Sequence, residues 1–193
     1  MSSPKIQIAN LALLKMGEST ITSFDDGTKA SNTIAAAFDH SVRYVLEQRN
    51  WHRAIKTVQI AANTDGPVVE YTSSHRLPSD FVRVVSVRNP AKLVDTDYVI
   101  HGDNIHTNNT SIYLVYIRDI TQSNSFPAYL ADLIASYLAW NISPFLSADS
   151  DNTGMMQRKY QASLAAAKTL DSQAVAQSSY LDTSSTFLDS RYN

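Results

Sequence analysis

The stretch VRYVLEQRNWHRAIKTVQIA, residues 42–61, changes its period part-way along. In its first half Val45 and Leu46 continue an apolar stripe that runs back through Ser41, Phe38, Ala37 and Ile34 at spacings of three and four, the pattern of a helix with one buried face. From Ala54 to Ala61 the order becomes alternation, with Ile55, Thr57 and Gln59 against Lys56, Val58 and Ile60, which suits a half-buried strand. Between the halves stands Asn50, one of the few non-glycine residues that adopt positive φ at low cost. It is expected to turn the chain and set Trp51 back against the helices.

N-terminal to this switch the chain reads as helical. Pro4 suits a first helical position, where its missing N–H costs nothing, and Gly17 is placed to end the helix in a left-handed conformation. That predicts a helix over 4–16 and, after a turn through Asp25, Asp26 and Gly27, a second over 28–50. C-terminal to the switch the strand period persists over 54–118, through Val68 to Thr72, Phe81 to Arg88, Tyr98 to His101, Ile105 to Thr107 and Ile112 to Arg118. Gly102, Asp103 and Asn104 can close a hairpin there.

The helical pattern returns at Pro127. Tyr129, Leu130, Leu133, Ile134, Tyr137, Leu138 and Trp140 cover more than half a helical circumference, so this segment must be enclosed. It is expected over 127–143, with Pro144 as its stop and Asp149 or Asp151 capping a last helix over 150–176. Helices, then grouped strands, then helices make an α+β fold: a bundle of N- and C-terminal helices with a small, mostly antiparallel sheet inserted in the middle. One domain over 1–177 is the default, followed by a flexible docking tail over 178–193 that is rich in Ser, Thr and Asp.

Composition narrows the function. A chain of 193 residues, 44% hydrophobic and 18% charged, can bury roughly 70% of its unfolded surface, so it needs no staple. It has no cysteine, which removes disulfides and thiolate chemistry. With 16 Lys and Arg against 18 Asp and Glu, it lacks the basic excess of a protein that grips nucleic acid phosphates. The apolar stretch from Ile6 to Met16 lacks a basic lead and is broken by Gln7, Asn10 and Lys15, so no export signal is expected. The nearly uncharged run from Tyr129 to Ile142 is too short to cross a bilayer, and no membrane role is expected.

A search for chemistry finds no reactive constellation. The five glycines include no GxGxxG or GxxxxGK spacing. His101, Asp103 and His106 lie across a hairpin but lack a further ligand, and read as polar residues on an exposed turn. Ser73, Ser74 and His75 lack a nucleophile elbow and read as a polar loop entering a strand. Asp25 with Asp26, and Asp149 with Asp151, read as capping residues before they read as Mg²⁺ ligands. No catalytic residue, metal or cofactor is assigned. The aromatic residues say more: Phe38, Tyr44, Trp51, Phe81, Tyr129, Tyr137, Trp140 and Tyr160 lie at or beside helix ends and on apolar stripes, as core or interface anchors. Tyr180, Leu181, Phe187, Leu188 and Tyr192 have too little apolar company to be hidden within the subunit, and are candidate partner-docking residues.

Four stretches together carry a family likeness. They are Leu13-Leu14-Lys15-Met16-Gly17-Glu18 with Ile21-Thr22-Ser23-Phe24; Val42 through Asn50-Trp51; Leu77-Pro78-Ser79-Asp80-Phe81-Val82-Arg83; and Tyr116-Ile117-Arg118-Asp119 leading through Phe126-Pro127 into the apolar helix. In this order and spacing, from Ile6 to Asp171, the chain resembles the tail tubular protein A and related head-to-tail adaptor (connector) proteins of tailed bacteriophages. Asn50 stands where the family often has glycine before the tryptophan. Gly17, Asn50, Trp51, Pro78, Asp80, Arg118, Asp119 and Pro127 are the structural motif positions.

The resemblance implies a non-enzymatic virion protein, made in the host cytoplasm, that sits at the head-to-tail junction. It implies a dodecameric ring of copies of the chain between the portal protein and a tail or nozzle protein, with a channel for transient passage of double-stranded DNA. A tail completion or terminator ring is the alternative within structural proteins. A DNA-binding packaging subunit is the alternative in another class, its most basic segment being Arg43 through Lys56.

Overall fold

The computed structural model describes residues 4–63, 70–120, 126–147 and 150–189, with the side chains of 150 and of 175–189 left aside. Among them, helices α1 (Pro4–Met16), α2 (Lys29–Glu47), α3 (Ala128–Leu146) and α4 (Ser150–Asp189) flank strands β1 (Ile55–Ala61), β2 (Ser73–Arg76), β3 (Phe81–Arg88), β4 (Val94–Asp95), β5 (Tyr98–His101), β6 (Asn104–Thr107) and β7 (Ser111–Arg118). The fold is α+β, with helices from both ends of the chain and antiparallel strands between. Where length alone points to one domain, the chain divides into two compact units: Met1–Val45 with Ser123–Asn193, and Leu46–Gln122.

The helical unit is organised by α3, which packs along both α1 and α4. Leu130, Leu133, Ile134, Ala135, Leu138, Ala139 and Ile142 are all fully buried. α1 turns Ile6, Ile8, Ala9, Ala12 and Leu13 inward. It ends as Gly17 predicts: Gly17 has φ 80, its N–H donates to the Leu14 carbonyl, and the Glu18 N–H donates to the Leu13 carbonyl. Lys159 of α4 takes a further end carbonyl, that of Lys15, at 2.9 Å. The link to α2 is fastened by Asn10, whose amide both donates to the Ile21 carbonyl and accepts from its N–H. Thr28 then caps α2 by accepting the Ser31 N–H through its hydroxyl. Polar ties cross the bundle as well: Lys15 and Ser163 both bond the Asp132 carboxylate, and Tyr129 donates to the buried Asp171.

Three helix ends differ from expectation. Pro144 does not stop α3, which runs on to Leu146. The carbonyl of Trp140, which loses its usual partner when residue 144 has no N–H, instead accepts the Ser143 hydroxyl at 2.9 Å, so the break is repaired locally. α4 continues past 176 to Asp189, so most of the expected tail over 178–193 is helical backbone. α2 also stops at Glu47, short of 50.

The strand unit holds two sheets where a single one is expected, in orders β1-β7-β3-β4 and β2-β6-β5. Every pairing is antiparallel. Val87, Ile105, Ile112, Leu114 and Tyr116 form its core, with Val58, Ile60, Leu77, Phe81, Val84 and Tyr98 packed against them. The alternation in β1 thus has its expected meaning: Val58 and Ile60 face the core while Thr57, Gln59 and Ala61 are exposed. The β5–β6 hairpin closes through Gly102 and Asp103, with His101 opposite Asn104 and Gly102 at φ 57, the pattern of a II′ turn. The strand expected over 68–72 is displaced: Tyr71 and Thr72 are not in a strand, Val68 lies outside the described residues, and β2 takes up 73–76 instead.

Gly17→Ala tests the α1 terminus. A Cβ there meets nothing within 4 Å, so the cost is the left-handed backbone alone, about 1–2 kcal/mol. Thermal denaturation should show a fall of roughly 2–8 °C, and Gly17→Asn a smaller one.

Candidate functional site

The motif residues of the strand unit gather at one end of the larger sheet. Pro78 fixes the chain just ahead of β3, and its carbonyl accepts the Phe81 N–H. Phe81 pairs with Arg118 at the end of β7, and the Asp119 N–H donates to the Asp80 carbonyl at 2.6 Å. The Asp80 carboxylate then ties three strands together. Tyr116 of β7 donates its hydroxyl to Oδ1 at 2.7 Å, and Lys56 of β1 donates to Oδ2 at 2.9 Å. The Lys56 ammonium also lies 5.9 Å from the centre of the Tyr116 ring.

The three groups form a clasp in which each shifts the protonation of the others. Burial works to raise the Asp80 carboxyl, but the hydrogen bonds from Tyr116 and Lys56 outweigh it and hold the group below its usual range. The hydrogen bond to Asp80 raises Lys56. Burial, reinforced by the Asp80 carboxylate, raises the Tyr116 phenol. Sequence reasoning marks Asp80 but gives Lys56 only a place on a strand face. The signal that joins them is the pairing of Lys56 with Tyr116 across β1 and β7, which requires the register.

Asn50 and Trp51 stand at the entry to β1. Trp51 is fully buried, the Arg49 guanidinium lies 6.0 Å from its ring, and its carbonyl accepts the N–H groups of Ala54 and Ile55. Asn50 does not use positive φ; Lys92 is the non-glycine residue that does so among those described. Its side chain acts instead, accepting a hydrogen bond from the Arg83 guanidinium. Gly17 and Pro127 belong to the helical unit, Pro127 as the N-cap of α3, whose carbonyl accepts the Leu130 and Ala131 N–H groups.

The helical unit carries an aromatic ladder. Tyr44 stacks on Tyr137 with centroids 4.3 Å apart, Tyr137 meets Tyr160 and Trp140 edge-on, and Trp140 stacks on Tyr160 at 5.5 Å. Such pairs contribute about 0.5–1.5 kcal/mol each beyond burial. Tyr160 and Tyr137 are buried, whereas Tyr44 is 39% exposed, so the ladder reaches the surface.

The other sequence candidates are placed as follows. Ser73, Ser74 and His75 are buried in β2 itself, where a polar loop entering a strand is expected. The His75 Nε2 lies 2.9 Å from the Asn109 carbonyl, which can only accept, so that nitrogen carries the proton. His106 is buried as well, against the expectation of an exposed turn, and its ring lies 5.6 Å from that of the exposed His101. Among the described residues no group of three or more His, Asp or Glu is arranged to hold a metal ion. Asp26 accepts both the N–H and the hydroxyl of Thr22, and its carboxyl is lowered by backbone bonds from Ser23 and Thr22. Asp151 lies in the first turn of α4, and Asp149 falls outside the described residues. Tyr180, Leu181, Phe187 and Leu188 lie on α4 with side chains outside the described residues, as does Tyr192 altogether.

No protein-family model matches the chain, and no curated protein matches it. The clasp joins β1, the approach to β3 and the end of β7, and so fixes where these strands begin and end.

The clasp makes stability depend on pH at both extremes. Asp80 is lowered on folding, so its contribution is present above the ordinary carboxylate range and is lost as pH falls through the lowered value. Tyr116 and Lys56 are raised, so theirs is present below about pH 10 and is lost as pH rises through the raised values. Tyr116→Phe should cost about 1–3 kcal/mol at neutral pH by urea denaturation, and Asp80→Asn should flatten the acid limb. An unchanged acid limb in Asp80→Asn would remove the clasp as its source.

Proposed function

We propose that this chain is a head-to-tail adaptor of a tailed bacteriophage, a structural protein that forms a ring between the portal and the tail and leaves a channel for the genome. What supports this reading is the placing of the residues that carry the family resemblance. Gly17 ends α1, Pro127 starts α3, Asn50 and Trp51 lead into β1, and Pro78, Asp80, Arg118 and Asp119 meet at one end of the larger sheet. Each sets a boundary or a joint, and residues of that kind specify an architecture. Their order along the chain matches that of the adaptors, and the α+β layout they delimit is compatible with one.

On this reading the helical unit supplies lateral contacts between copies, with the exposed end of the aromatic ladder at Tyr44 as one anchor. The strand unit faces the tail. The C-terminal part of α4, with Tyr180, Leu181, Phe187 and Leu188, and the following Tyr192 dock on the portal. A formal charge of -2 suits a channel wall that lets DNA pass without holding it. The protein acts by covering surfaces and positions no reacting group.

Mass measurement of the purified chain mixed with the portal protein of the same phage tests this. The expected product is a ring of copies bound to the portal. Deleting 177–193 should abolish attachment while leaving the helical circular dichroism of the remainder. Attachment unchanged by the deletion would remove the docking role of that segment, and a portal that never binds the full chain would remove the adaptor reading.

A further inference from the structure

We infer that His101 and His106 form a binding site for a late first-row divalent cation such as Zn²⁺, each giving one imidazole nitrogen and leaving the remaining positions of the ion to water. The β5–β6 hairpin sets up the pair. His101 is opposite Asn104 and Val99 is opposite His106, so by strand alternation both imidazoles stand on the face that carries Asn104 and Val99. Ile105, between them on β6, turns the other way into the core. The two histidines are diagonal neighbours on adjacent strands, a relation in which aromatic side chains still meet. Their ring centres are 5.6 Å apart.

That spacing is one that a shared ion permits. Zinc lies about 2.0–2.1 Å from an imidazole nitrogen, hence roughly 3.2 Å from the ring centre, so two rings on one ion have centres about 4.5–6.4 Å apart for angles of about 90–180° at the metal. The observed separation corresponds to an angle of about 120°, close to tetrahedral.

Burial of His106 is the second observation. The residue is 4% exposed, yet its Nδ1 has no hydrogen-bond partner. Buried polar atoms are ordinarily bonded, and an imidazole nitrogen that is not retains a lone pair for a ligand. The Nδ1 of His75 is unpartnered as well, but His75 is opposite Ile105 on the core-facing side and is held by its Nε2 contact with Asn109. His106 differs in having a second imidazole beside it. His101 is exposed, so an ion can approach from solvent, and one ring is fixed by packing while the other is free to turn toward it. Two exposed charges of opposite sign stand nearby, Asp103 in the turn and Arg76 opposite Asn104, so the ion is selected by ligand type and not by the local field. Imidazole suits zinc, nickel and copper, whereas magnesium and calcium require oxygen ligands. A bound ion braces the hairpin on the side away from the core. With two protein ligands the site is open and exchanges its ion with solvent.

Calorimetric titration of the untagged full chain with zinc chloride, with imidazole nitrogen–proton correlation spectra of the same samples, tests the inference. Saturation is expected at one ion per chain, with the ring signals of His101 and His106 shifting and those of His40 and His52 unmoved. Cu²⁺ should bind more tightly and Mg²⁺ should not bind. His101→Gln, at an exposed position, should weaken zinc binding by at least as much as the loss of an outer-shell partner does, about tenfold, with unchanged far-ultraviolet circular dichroism. His40→Gln, on α2, should leave binding as it is. No saturable binding up to millimolar zinc, undiminished binding by His101→Gln, or an equal loss in His40→Gln overturns the inference. The adaptor reading does not depend on the ion, and portal binding by His101→Gln leaves it intact, so the two proposals fail separately.

Discussion

A helix with almost no polar side has to be wrapped, and α3 imposes that requirement on the whole chain. From Leu130 to Ser143 most of its circumference is buried, including Ser136 and Ser143, whose hydroxyls are turned back onto carbonyls of their own helix. The neighbours that enclose it are α4, next in sequence, and α1, more than a hundred residues earlier. Both ends of the chain must therefore meet in one unit, and everything between α2 and α3 becomes an excursion that returns to its starting point. Closing so long a loop adds little entropy beyond that of a shorter one, because the cost grows only with the logarithm of its length. The excursion has the residues for a core of its own, and the two-unit division follows.

Most of this was legible in sequence because it rests on periodicity and on residues with one dominant backbone preference. The four helices, the strand period after Trp51 and the stops at Gly17 and Gly102 are of that kind. What was not legible depends on partners distant in sequence. β2 reads Ser-Ser-His-Arg and has no β-branched residue, yet pairing with β6 and burial of His75 make it a strand. That one strand also hides the division into two sheets. Pro144 reads as a stop because the rescue by Ser143 is a side-chain event that propensity does not register. Asn50 reads as a left-handed turn residue, while its actual contribution is an amide oxygen offered to Arg83.

The site was half legible for the same reason. Pro78, Asp80, Arg118 and Asp119 announce themselves as short motifs, but the chemistry of Asp80 comes from Lys56 and Tyr116, which lie 24 and 36 residues away. Only the β1–β7 register brings those two opposite each other. The aromatic ladder was legible as apolar stripes, and not as a stack with one exposed end.

Magnitudes separate the roles of the two kinds of residue. Burying Val58, Ile60, Ile112 and Leu114 stabilises the strand unit by about 1.5–3 kcal/mol for each side chain that becomes fully enclosed. The clasp contributes two charge-assisted hydrogen bonds to the Asp80 carboxylate, the one from Tyr116 partly buried, together a few kcal/mol at most. It therefore adds little to the total, but it stands where a choice is made. A slip of one residue between β1 and β7 would turn Val58 and Ile60 out of the core and would also separate Lys56 from Asp80. Slipping by two residues keeps the apolar face inward, and so is penalised much less by burial. Against that slip the polar contacts at the strand end discriminate, because they can be made in only one alignment. Apolar residues thus supply the energy and admit many substitutions, whereas Pro78, Asp80, Tyr116 and Asp119 supply the alignment and admit few. A chain can keep such an architecture while its apolar positions change, because the alignment rests on the few polar contacts at the strand end.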